Sequence, residues 1–77
     1  MGICSYLVIS EPGAKESVRQ RLAAMPECEV VPSTSHDLLV LVTETGSRTE
    51  ERSLRERAES LAGVHSMVLT FAEVLSQ

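Results

Sequence analysis

Leu38-Leu39-Val40-Leu41-Val42 is the most hydrophobic run in this chain, and it limits the fold more than any other stretch. An uninterrupted apolar run of that length fits a central strand, covered by neighbours on both sides. The strand is expected over Asp37 to Thr43. A second apolar run, Ile3-Cys4-Ser5-Tyr6-Leu7-Val8-Ile9-Ser10, is rich in β-branched and aromatic residues and is ended by Glu11-Pro12-Gly13. It also reads as a largely buried strand.

Between these runs the apolar period changes. Ala14, Val18, Leu22 and Met25 recur at helical spacing, while Lys15, Glu16, Arg19, Gln20 and Arg21 fall largely on the other faces. Pro12 suits the opening turn of this helix, and Pro26 stops it by pushing Met25 out of the helical region. Cys28 to Ser33 reads as a short strand, and Pro32 assigns it to a sheet edge because proline cannot donate to a ladder. Ser33-Thr34-Ser35-His36 turns the chain into the central strand. A second helix begins at Ser47, which with Glu50 forms a capping box. Glu51/Arg55, Arg52/Glu56 and Arg55/Glu59 are opposite charges one turn apart. Leu54, Ala58 and Leu61 form its apolar stripe, and Gly63 suits a C-terminal cap. Val64 to Ala72 is the last strand.

The order is strand, helix, strand, strand, helix, strand. In one domain spanning residues 1–77, that is the ferredoxin-like βαββαβ pattern, an α+β class. It implies a four-stranded antiparallel sheet in order 4-1-3-2 with both helices on one face. The second face has no element left to cover it.

Alternation along each strand divides the residues between the faces. Polar positions on the second and fourth strands guide the division. The first and third strands are too uniformly apolar to decide it themselves; the division taken assigns Cys4, Tyr6, Val8, Cys28, Val30, Leu38, Val40, Val42, Met67, Leu69 and Phe71 to the helix-covered core. The open face then receives Ser5, Leu7, Ile9, Glu29, Val31, Leu39, Leu41, Thr43, Ser66, Val68 and Thr70. Leu7 and Leu41 are expected near its middle, on central strands running in the same direction. Either parity leaves several Leu, Ile or Val residues uncovered, and such a patch usually marks an interaction site.

Composition narrows the occupant. Net charge is −4, which argues against nucleic acid and suits a basic partner. No apolar run has the length of a membrane span and no basic leader is evident, so a soluble cytoplasmic protein is expected. There is no GxSxG, Gly-rich phosphate loop or HExxH, and Glu11-Pro12-Gly13 is a poor anion cradle. His36 and His65 read as a loop residue and a strand-end residue. Cys4 and Cys28 fall on strands separated by a third, about 9–10 Å apart, beyond disulfide reach, and read as two small buried thiols. No catalytic residue, metal or cofactor is expected.

Several segments together resemble one family. Ile3-Cys4-Ser5 opens the first strand, and Met25-Pro26-Glu27-Cys28-Glu29-Val30 joins the first helix to the second strand. Leu38 to Val42 and Leu61-Ala62-Gly63-Val64 complete the set. Over roughly residues 3–72 the layout resembles the NapD family, cytoplasmic chaperones of periplasmic nitrate reductase. The resemblance implies a non-enzymatic protein that binds the twin-arginine signal peptide of the reductase catalytic subunit. Such a protein delays Tat export until cofactor insertion is complete. The expected site is the open face, with Leu7, Ile9, Leu39, Leu41 and Val68 for the apolar segment of the peptide. Glu29, Glu11, Glu44 and Glu73 are expected to attract its arginines. The expected state is a monomer or weak homodimer. The alternative is an ACT-like, effector-sensing module with a small ligand at a homodimer interface.

Overall fold

In the computed structural model, residues 2–33 and 37–74 are described. They form β1 (Gly2–Ser10), α1 (Lys15–Ala23), β2 (Cys28–Pro32), β3 (Leu38–Thr45), α2 (Arg48–Glu59) and β4 (Val64–Val74). The strands make one sheet in order β2-β3-β1-β4, the expected order read from its other edge. All three pairings are antiparallel. This corrects the expectation that Leu7 and Leu41 lie on strands running in the same direction. A helical crossover makes β1 and β2 parallel to each other, so the strand between them must run the other way. His36 lies outside the described residues.

The helices begin and end for local reasons. Pro12 does not enter α1. It lies in a turn with Gly13, whose φ of 80° is a left-handed conformation suited to glycine, and the helix starts two residues later. Ser47 caps α2 as expected, accepting the Glu50 N–H at 3.1 Å. The Glu50 carboxylate returns to the N–H of Gly46 at 3.3 Å, one residue before the cap. The last residue of α2 is Glu59, capped by Ser60, so Gly63 is not its immediate cap. Gly63 has a φ of 95°, and a Cβ there would lie 2.9 Å from Val18 Cγ2 and 3.0 Å from Ala14 Cβ. Only glycine lets this turn press so closely on α1.

One cluster joins both helices to one sheet face. Val18 and Leu22 of α1 and Ala58 of α2 are buried against Tyr6, Val8, Leu39, Leu41 and Met67. Cys4, Cys28, Val30, Met25, Leu61 and Val64 pack around it. The assignments for β1 and β2 therefore hold, and that for β3 is inverted. Leu39, Leu41 and Thr43, expected on the open face, are sealed under the helices, and Leu38, Val40 and Val42 take their place outside. The register requires this: Tyr6 pairs with Leu41 and Val8 with Leu39, and paired residues point to the same face.

On β4 two register shifts complicate the alternation. Ser5 pairs with Phe71 but Tyr6 with Leu69, leaving Thr70 as an extra residue in a bulge. Its hydroxyl donates to the Ser5 carbonyl at 2.9 Å. The bulge turns Phe71 to the open face beside Ser5, correcting its assignment to the core. Leu69 remains on the Tyr6 side, yet it is 45% exposed at the sheet edge.

Candidate functional site: the open sheet face

Pairing registers define rows across the uncovered face. Moving along β1, the first row is Glu73, Ile3 and Glu44. The next is Phe71, Ser5, Val42 and Glu29. Val68, Leu7, Val40 and Val31 follow, and Ser66, Ile9 and Leu38 close the face. Tyr6, Val8, Leu39 and Leu41, on the central strands beneath the helices, are 2% exposed or less, whereas Phe71, Val68 and Val31, on the edge strands, are 52%, 48% and 47% exposed. Together with Leu7, Val40, Ile9 and Leu38 they make a continuous apolar surface. Patches of this kind usually mark a docking surface.

The charges on this face are confined to one end. Glu29, Glu44 and Glu73 occupy the first two rows, and the last two rows carry none. None of the three has an ion-pair partner among the described residues. At the same end a concavity of about 610 Å³ is lined by Ile3, Glu27, Cys28, Glu29, Val42 and Glu44, among others. Glu27 Oε2 lies 3.5 Å from the Arg57 guanidinium of α2, while its Oε1 is buried with no hydrogen-bond partner among the described residues. Glu11, the fourth acidic residue singled out in the sequence, lies at the opposite end. There its Oε1 is 3.1 Å from His65 Nδ1.

Of the residues expected on this face, Ser5, Leu7, Ile9, Glu29, Val31, Ser66 and Val68 are there. Leu39, Leu41 and Thr43 are beneath the helices, and Thr70 is in the bulge. Leu38, Val40, Val42 and Phe71 are the positions the sequence reading missed. Glu44 was the available signal, because a charge between two threonines favours an outward even parity for β3.

The threonines themselves point inward to a carboxylate. Glu51 of α2 accepts from Tyr6 Oη at 2.5 Å, from Thr43 Oγ1 at 2.8 Å and from Thr45 Oγ1 at 2.9 Å. Arg55 does not pair with Glu51. Its guanidinium lies 5.8 Å from the Tyr6 ring centroid and 3.4 Å from Glu59. Burial, then the hydrogen bond and charge of Glu51, push the Tyr6 hydroxyl well above the usual phenol range. Burial and the Glu51 charge also raise the Cys4 thiol. Burial pushes the Cys28 thiol up to about 11, with the Glu27 charge adding to it. Both cysteines are free, and both pair with Thr43 from opposite sides, so β3 separates them. Thiols held neutral in this way are poor nucleophiles. No group of three or more metal-ligating side chains occurs among the described residues. No helix of the described residues is long and apolar enough to cross a membrane.

A βαββαβ sheet with two helices on one side and a second side left uncovered among the described residues defines a ferredoxin-like domain. The NapD protein family matches this chain over residues 1–75, and the chain belongs to that family. Among solved structures it is similar to the solution structure of the E. coli Tat proofreading chaperone protein NapD. The TM-score is 0.82 at 24% identity, covering 97% of this chain and 80% of that one. No curated protein matches it.

Proposed function

We propose that this protein is a cytoplasmic chaperone that binds the twin-arginine signal peptide of a periplasmic nitrate reductase catalytic subunit. By holding the peptide it delays Tat export until the cofactors are inserted, and it catalyses no reaction. The observation that carries this reading is the bare apolar sheet face with its acidic end, on a chain of the NapD family. A twin-arginine signal peptide joins an arginine pair to an apolar segment. The apolar rows suit the segment, and unpaired carboxylates suit the guanidinium groups. Covering the face would bury side chains that folding alone leaves wet, each contributing about 1.5–3 kcal/mol when fully buried.

Amide chemical shifts recorded during titration with such a peptide test the proposal. The expected changes concentrate on open-face residues such as Leu7, Val40 and Val68. Changes confined to α1 and α2, or a protein that dimerises through the sheet and ignores the peptide, would contradict it. Sheet-mediated dimerisation would instead favour the ACT-like arrangement.

A further inference from the structure

Resting on that reading, we infer that the bound peptide has a fixed polarity. Its arginine pair sits at the end of the sheet where β1 begins, and its apolar segment runs toward the end where β1 finishes, so that peptide and β1 run in the same direction. The argument comes from where charge lies on the face. Glu73, Glu44 and Glu29 occupy the first two rows. Phe71, Val68, Leu7, Val40, Val31, Ile9 and Leu38 occupy the rows from the second onward. The far row, Ser66, Ile9 and Leu38, has no charge. A peptide laid the other way would place guanidinium groups over Ile9 and Leu38 and its apolar segment over three carboxylates. Both ends would then be mismatched: apolar groups would desolvate the carboxylates without pairing them.

Other charged groups near the two ends support the same direction. At the far end Glu11 is already engaged by His65. At the near end Glu27 lines the concavity, and its Oε2 lies 3.5 Å from the Arg57 guanidinium. Length is also compatible. From Ile3 to Ile9 a strand spans about 20 Å, which matches about 13 residues of helix. That accommodates two arginines followed by roughly ten apolar residues.

Paramagnetic labelling tests the polarity directly. The probe is a synthetic peptide of two arginines followed by an apolar segment, carrying a nitroxide at its N-terminal or its C-terminal end. The N-terminal label is expected to broaden the amide signals of Ile3, Glu29 and Glu44, and the C-terminal label those of Ile9, Leu38 and Ser66. The reverse pattern, or equal broadening at both ends by each label, would overturn the polarity and leave the proposed site standing. A peptide that does not bind, or that broadens only α1 and α2, would overturn both. As a second arm, Glu29→Lys with Glu44→Lys should weaken binding about five- to tenfold, while Glu11→Lys should change it less than about twofold. Equal effects of the two charge reversals would count against the polarity.

Discussion

Val40 and Leu41 are neighbours on β3, and both are aliphatic. Leu41 is sealed beneath α1 and α2, whereas Val40 lies on a face that no helix covers. The same contrast holds along the whole sheet. Under the helices, apolar packing is joined by a polar network in which Tyr6, Thr43 and Thr45 donate to Glu51. On the other face Leu7, Val40 and Val68 lie in a row that no helix among the described residues covers. Residue type therefore does not separate the faces; what packs against them does. The covered face supports folding, and the other face is the docking surface we propose.

The largest effect expected from this contrast is at Leu41. Leu41→Glu places an unpaired charge in a site with no exposed surface, at a cost above about 4 kcal/mol. The domain should fail to fold, as judged by circular dichroism. A cooperative melt near the wild-type temperature would mean that the two faces have been exchanged.

A smaller loss is expected at Glu51. Glu51→Ala leaves three nearly buried hydroxyls without their shared acceptor, and should lower stability by about 3 kcal/mol. Glu51→Gln keeps an acceptor oxygen and should lose less. Urea denaturation of the two variants would measure the difference, and equal small losses would show that the network contributes little.

Alkaline pH probes the same covered side. The Cys28 thiol is pushed up to about 11 in the fold, and an unfolded thiol ionises near 8.5. The native state therefore holds the proton more tightly. Stability from this group is full below about pH 8.5 and is lost as pH rises toward 11. The loss should be on the order of 1 kcal/mol, because water partly screens a half-buried thiol. Raised Cys4 and Tyr6 values act in the same direction. Denaturation midpoints at pH 8 and pH 11 measure the slope, and Cys28→Ala should flatten it.

The smallest stability effect is expected on the bare face. Phe71→Ser should change stability by less than about 0.5 kcal/mol, since the ring is half exposed in the free protein. Peptide affinity should nonetheless fall, because the ring would be covered in the complex. A large drop in melting temperature would show that Phe71 supports the fold.

These faces were only partly legible in the sequence. Element order, strand order, the Ser47 cap and the parity of β2 could be read from it, because proline, glycine, capping and periodicity are local signals. The parities of β1 and β3 were not settled by their apolar runs, and for β3 the only local signal was Glu44 between two threonines. Leu38 to Val42 is apolar on both sides, so alternation had nothing to discriminate. Thr43 looked solvent-facing because its acceptor, Glu51, is supplied by another element. The β2–β3 register, with Pro32 opposite Leu39, also has no local marker. Phe71 was misplaced for a related reason: the bulge at Thr70 interrupts a period that the sequence presents as unbroken.

The bare face as the docking surface is the central claim, and Val40→Glu tests it most directly. Val40 lies in the third row of that face, between Leu7 and Val31, in a row that carries no charge. Its carboxylate can reach water in the free protein. Calorimetric titration with a twin-arginine signal peptide, paired with a thermal melt, gives both readouts. The expected result is a folded variant with a near-native melt and at least about a hundredfold loss of affinity, as expected when a charge is buried at the centre of an interface. A folded Val40→Glu variant that binds the peptide as tightly as the unaltered protein would contradict the account.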